Sequence, residues 1–175
     1  MTDPAALTQD GCEILIAREL RRAGIQPVTL RRVNGRRAGG GGWCFDLVGR
    51  LEAYGQRWTV LIECRNDTSR VCAADVDELR RRADAATARS ALIFATSVFE
   101  PDAVARAEEL RVALLHIVDA HPALLAAGLI QPGPLPAWVP ELTVELVTLA
   151  GHEQQRRLLP ADQPESILEQ LRRCM

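Results

Sequence analysis

The chain has 175 residues, 47% of them apolar and 25% charged, values that suit one globular domain and exclude a disordered chain. Its formal net charge of -2 excludes a uniformly basic nucleic-acid-binding protein, so contact with a polyanion has to come from a local patch. All 21 basic residues are arginine and none is lysine, which excludes any mechanism that needs a catalytic lysine.

No apolar run approaches the ~18 residues that cross a membrane. The opening stretch MTDPAALTQDG lacks a basic region followed by an apolar one, so the cytoplasm is the expected compartment. The cysteines are Cys12, Cys44, Cys64, Cys72 and Cys174. They form no C-x-x-C pair, so neither a zinc site nor a disulfide framework is supported, and buried free thiols are expected.

In chain order, residues 8 to 23 read as an amphipathic helix. Thr8 or Asp10 can cap it, and Gly24 follows its end. At 100° per residue Cys12, Ile16, Ala17, Leu20 and Ala23 share a face, with Glu13 in its middle and Arg18, Arg21 and Arg22 opposite. Residues 27 to 33 predict a short strand, and residues 34 to 42, with Arg36, Arg37 and four consecutive glycines at 39 to 42, a loop. Residues 43 to 54 and 57 to 65 predict two strands of a hairpin turning at Gly55. Residues 73 to 89 predict a second helix, with Val76, Leu79 and Ala83 inward and Arg80, Arg81 and Arg82 mostly outward.

Residues 90 to 96 and 114 to 118 are short apolar runs that suit buried strands. Pro101 opens a helix between them, and Asp119 caps a short helix closed by Gly128. A Pro-rich connector over 131 to 140 leads to an alternating strand over 141 to 149, and residues 165 to 175 predict a terminal helix. This order implies a mixed α/β layered architecture. Residues 1 to 128 form the core unit of this reading, and 129 to 175 a C-terminal extension packed on the same domain.

The chemistry concentrates at Asp46, Glu63 and Arg65. Residues two apart on a strand share a face, so Glu63 and Arg65 project together while Ile62 and Cys64 project to the other side. With Tyr54 and Gly55 at the centre of the turn, Asp46 falls opposite Glu63, with Cβ atoms ~5 Å apart. Two carboxylates that close require a positive charge between them. A divalent cation such as Mg²⁺ meets this need, with the Cys64 carbonyl as a further ligand and Arg65 beside it for a phosphate oxygen. Glu13 could turn toward the same site. A one-residue slip of register would send Asp46 to the other face.

Each piece also has a plainer reading. Glu63 and Arg65 suit a charged sheet edge, Asp46 a strand-end acid, and Glu13 a helix-border residue paired with an arginine. Arg36 and Arg37 suit a solvated loop, Arg80 to Arg82 a solvated helix face, and His116 a core histidine.

Taken in order, the residues resemble the PD-(D/E)xK nuclease superfamily and, within it, the Mrr-like restriction endonucleases. The resemblance runs over roughly residues 10 to 128. It rests on a helix bearing Glu13, on Asp46 in a strand preceded by glycines, and on E-C-R-N at 63 to 66. Arg70, Val71, Val76, Leu79, Thr96, Phe99, Ala103, Asp119, Leu124 and Leu125 continue the succession.

The resemblance implies a restriction-endonuclease-like three-layer fold with an αβββαβ core, a mixed sheet flanked by helices. It implies a Mg²⁺- or Mn²⁺-dependent DNA endonuclease acting in restriction or defence. Asp46 and Glu63 would be metal ligands, Glu13 a further acid, and Arg36, Arg37 and Arg70 DNA contacts. The expected partners are DNA and a second copy of the chain, with recognition possible through a separate protein. The family lysine is Arg65 here. Arginine supplies charge but no general base, so an inactive nuclease fold serving in DNA binding or protein assembly is the alternative.

Overall fold

A computed structural model describes residues 3–22, 26–37, 42–53 and 55–159. Helix α1 spans Gln9–Arg22, and strands β1, β2 and β3 span Gln26–Arg37, Trp43–Ala53 and Gln56–Asn66. Helix α2 (Ala73–Ala85), strand β4 (Ser90–Ala95), helix α3 (Pro101–Leu110) and strand β5 (Val112–Asp119) follow. Helix α4 (Ala120–Ala126) and strands β6 (Leu142–Ala150) and β7 (Glu153–Leu158) complete the order.

The seven strands form one sheet in sequence order. Strands β1 to β3 are antiparallel, β3 to β5 parallel, and β5 to β7 antiparallel. Parallel neighbours need a crossover, and α2 and α3 supply it. The period-2 pattern of the strands then divides the core into two layers. Phe45, Leu47, Ile62, Cys64, Phe94 and Leu115 pack with Cys12, Ile16 and Leu20 of α1. Leu61, Ile93, Ala95 and Leu114 pack with Val76 and Leu79 of α2 and Val104 and Ala107 of α3. The result is the expected restriction-endonuclease-like arrangement of a mixed sheet between helices.

Local chemistry sets the ends of the elements. Thr8 Oγ1 accepts from the Gly11 N–H at 3.1 Å and caps α1, as its hydroxyl suggests. Gly55 takes φ +73°, the left-handed conformation a two-residue hairpin turn requires. Asn66, at the end of β3, donates to the carbonyls of Ala5 and Leu7 at 3.0 and 2.9 Å and accepts from Thr96 Oγ1 at 2.8 Å. It ties the chain before α1 to the ends of β3 and β4.

Several expectations change. Strand β1 does not stop at residue 33 but continues to Arg37, with Arg36 opposite Cys44 and Arg37 opposite Trp43. Arg36 and Arg37 are therefore on a paired strand backbone rather than in a loop. A register shift leaves Val33 as an extra residue between Arg32 and Asn34, and pairing with β2 carries the poor strand formers Asn34 and Gly35 onward. Helix α2 ends at Ala85, where Thr87 turns to φ 53°. Strand β7 was not foreseen: its side chains are mostly exposed and do not alternate, so pairing with β6 alone defines it. Residues 165 to 175, Cys174 and most of the glycine run lie outside the described residues. Cys12, Cys44 and Cys64 are buried free thiols, and Cys72 is half-buried.

Candidate active site

Asp46 lies directly opposite Glu63 in the β2–β3 ladder, the register deduced from the turn. Both side chains, with that of Arg65, face the α2 layer and not the α1 layer. Asp46, Glu63 and Arg65 are 0%, 3% and 8% exposed. Charged groups are seldom so deeply buried unless paired, and their partners come largely from α2.

Arg82, in the last turn of α2, reaches down to the strands. Its Nη1 donates to Asp46 Oδ2 and its Nη2 to Glu63 Oε2. One planar fork thus spans two carboxylates on adjacent strands. Burial works against the charged Arg82 guanidinium, but the hydrogen bond to Asp46 and the charges of Glu63 and Asp46 outweigh it and raise its pKa further. The expectation that Arg82 belongs to a solvated face is corrected: its side chain is 15% exposed. The sequence held a signal for this. Arg82 lies three residues after Leu79 and next to Ala83, so it flanks the buried stripe rather than opposing it. Arg81 behaves as expected, 70% exposed and paired with Glu78 at 2.6 Å, but Arg80 does not: its side chain is 16% exposed, paired with Asp84 at 2.6 Å and donating to the Ala88 carbonyl at 3.0 Å.

Arg65 is held by three carboxylates: Asp75 at 2.8 Å, Asp67 at 3.3 Å and Glu63 at 3.8 Å. Asp75 is bifunctional. Its Oδ2 accepts from the Cys72 backbone N–H at 2.9 Å and the Cys72 thiol at 3.3 Å at the start of α2, and its Oδ1 faces Arg65. Burial pushes the Asp75 carboxyl up, but the Cys72 N–H and the Arg65 guanidinium outweigh it and hold the carboxyl below its ordinary value. The sequence reading singled out neither Asp67 nor Asp75.

Glu13 is not brought to this cluster. Helix α1 crosses the opposite face of the sheet, where Cys12, Leu15, Ile16, Glu19 and Leu20 are its buried residues. Glu13 sits at the border of that stripe, not its middle, and accepts from Arg32 Nε at 2.6 Å. Arg32 also binds Gln9 and Asp10 at 2.7 and 2.9 Å and stacks on the Phe45 ring at 4.6 Å. Cys64 is paired on both sides, with Phe45 in β2 and Phe94 in β4. Its carbonyl therefore lies in the plane of the sheet, while the carboxylates stand off its face. Burial pushes the Cys64 thiol well up, helped by Cys12, so it is no nucleophile. Arg70 is exposed between β3 and α2, and the side chains of Arg36 and Arg37 lie outside the described ones.

Two opposed carboxylates are hard oxygen donors and suit Mg²⁺ or Mn²⁺ in kind. The position between them holds the Arg82 guanidinium, so a metal ion fits there only once that side chain has left. Among the described residues no group of three or more His, Cys, Asp or Glu side chains forms a ready metal site. Among them, too, no helix is long and apolar enough to cross a membrane.

A restriction endonuclease family model, that of the Mrr catalytic domain, matches residues 5–121. No curated protein and no solved structure matches the chain. The match covers more than half of the chain and takes in α1, the Asp46–Glu63 pair, Arg65 and the β3–α2–β4–α3–β5 crossovers, and on that ground the chain belongs to the Mrr family of restriction endonucleases.

Proposed function

We propose that this domain hydrolyses phosphodiester bonds of DNA with the help of Mg²⁺ or Mn²⁺, in restriction or defence. The observation that carries this reading is the opposition of Asp46 and Glu63 on one sheet face, with Arg65 two residues along the same face. Charge supports it as well. The carboxylates of Asp46, Glu63, Asp67 and Asp75 meet the guanidiniums of Arg65 and Arg82, so the cluster keeps an excess of negative charge suited to a cation.

Asp46 and Glu63 are the residues that would hold the ion. Bound there, it supplies Lewis acidity toward the phosphodiester and an acidified water. Arg65 stays protonated at any working pH, so it accepts no proton. It holds a non-bridging phosphate oxygen and offsets the charge that develops at phosphorus. Asp75 and Asp67 orient that guanidinium. Arg36, Arg37 and Arg70 are proposed contacts to the DNA backbone, where arginine serves positioning more than sequence reading. A second copy of the chain would bring a second site to the other strand.

One observation favours a second reading, a nuclease fold retained for DNA binding or assembly without cutting: Arg82 spans both acids and leaves them buried. Incubation of methylated and unmethylated plasmid with Mn²⁺ separates the two. Nicking or cutting that Asp46→Ala abolishes is the expected result, with a gain for Arg65→Lys because an ammonium is the smaller, more mobile cation. Intact plasmid with the wild type and with Arg65→Lys would sink the nuclease reading.

A further inference from the structure

We propose that Arg82 is an internal counter-cation that competes with the divalent metal for Asp46 and Glu63, so that the site binds metal only when this side chain swings out. The inference rests on the reading of Asp46 and Glu63 as metal ligands and adds a means of regulating them.

Four observations carry it. First, the contacts coincide. The Arg82 fork occupies Asp46 Oδ2 and Glu63 Oε2 and the space between the two acids, where an ion held by both would have to sit. Second, the charge requirement is the same. The Asp46 and Glu63 side chains are 1% and 4% exposed, and so close a buried pair stays fully ionised only beside a positive charge. Departure of Arg82 is therefore tied to arrival of another cation. Third, one side chain makes the whole latch: both contacts come from the Arg82 guanidinium, so a single rotation breaks them together.

Fourth, the released side chain has somewhere to go. Glu78 lies one helical turn before Arg82, with its Oε1 already 3.7 Å from Arg82 Nε, and its own side chain is 41% exposed. An outward Arg82 can share Glu78 with Arg81, which already donates to its two oxygens at 3.0 and 2.6 Å on the surface of α2. Arg82 is also nearer solvent than the acids it covers and than Arg65, 15% exposed against 1%, 4% and 10% for Asp46, Glu63 and Arg65. Its rotation uncovers the acids without moving the sheet.

A latch closed about 99% of the time weakens apparent metal affinity about 100-fold. The test is Mn²⁺ binding to the full chain, followed by the loss of the free-ion paramagnetic resonance signal and by calorimetry. Wild type is compared with Arg82→Gln and with Arg82→Lys, which keeps a charge for folding but loses the fork. Arg82→Gln is expected to bind Mn²⁺ about 100-fold more tightly than wild type, and Arg82→Lys to fall between them. Mn²⁺ should raise the melting temperature of Arg82→Gln at concentrations that leave wild type unchanged. The gain should vanish in Asp46→Asn/Arg82→Gln.

Equal, tight Mn²⁺ binding by wild type and both variants would overturn the latch and leave the metal site standing. A gain that survives Asp46→Asn would place the ion elsewhere and overturn it too. If folded Arg82→Gln and Arg82→Lys bind no Mn²⁺, the metal reading of the acid pair falls, and the latch with it. Should Arg82→Gln not fold, Arg82→Lys decides: affinity no better than wild type refutes the proposal.

Discussion

Removal of the Arg82 charge in metal-free buffer should be among the more damaging single substitutions in this domain. Arg82→Met keeps the apolar stem and deletes the cation shared by Asp46 and Glu63, whose side chains are 1% and 4% exposed. Solvent screens little of what remains while the methionine stem stays over the two carboxylates as the arginine stem does. Breaking a buried ionic cluster by deleting one partner costs about 3–5 kcal/mol. For a domain of this size each kcal/mol lowers the melting temperature by about 2–4 °C, so the midpoint should fall by about 6–20 °C.

The same reasoning predicts a rescue. Asp46→Asn/Glu63→Gln/Arg82→Met carries no charge at the Arg82 contacts, while Arg65 keeps Asp75 and Asp67, and should return to within about 1 kcal/mol of wild type, since neutral replacement of a buried ionic group is often tolerated. Urea unfolding followed by circular dichroism in EDTA at neutral pH measures both. A cost below about 1 kcal/mol for Arg82→Met is the range of exposed ion pairs and would refute the claim that the cluster is buried and mutually dependent. A triple variant as unstable as the single one would refute the charge argument and point to lost packing.

Other outcomes follow from the same contacts. Because the Asp75 carboxyl is held below its ordinary value, its contribution is fully present above the unfolded value of about 3.9 and is lost as pH falls through the lower folded value. Asp75→Asn should flatten the acid limb of a stability-versus-pH curve below about pH 4, and an unchanged slope there would remove Asp75 from the account. Gly42→Ala should destabilise by about 1–3 kcal/mol, because the new Cβ would collide with the Asn66 carbonyl and lie 2.8 Å from Asp67 Cα; an unaltered thermal midpoint would show that approach to be relaxed. Leu79→Ala, at a side chain with 0% exposure between α2 and the sheet, should cost about 2–5 kcal/mol by urea unfolding, and a loss under about 1 kcal/mol would mean that α2 collapses onto the cavity.

Much of this protein is legible from local pattern because the deciding interactions are local. The β2–β3 hairpin turns over two residues, and Gly55 accepts the positive φ that the turn demands. A period of two then carries the register outward from that turn, so Asp46 opposite Glu63, and Arg65 on the same face, follow once the turn is centred on Tyr54 and Gly55, the register that the structure has. The apolar runs at 90 to 95 and 112 to 117 are buried strands for a related reason: a parallel strand covered on both faces has no polar side to display.

Interactions between distant segments decided the rest. Which face of the sheet α1 crosses is set by packing of Cys12, Ile16 and Leu20 on Phe45 and Cys64, and that choice takes Glu13 away from the acids. Strand β1 beyond residue 33 and the whole of β7 exist through pairing with a neighbour, since their own residues express no strand pattern. Arg82 belongs to both categories. Its place beside the Leu79–Ala83 stripe is a matter of helical angle, readable in the chain. Its partners are a matter of where α2 lies over β2 and β3, and they turn a residue that resembles surface charge into the cation that balances the acid pair. The sequence by itself determined which carboxylates can meet, because a turn centred on Tyr54 and Gly55 and a strict alternation bring Asp46 opposite Glu63, while a one-residue slip would part them. Only the tertiary structure decided what neutralises them, because a long arginine side chain reaches whichever buried charge the packing of its helix brings within range.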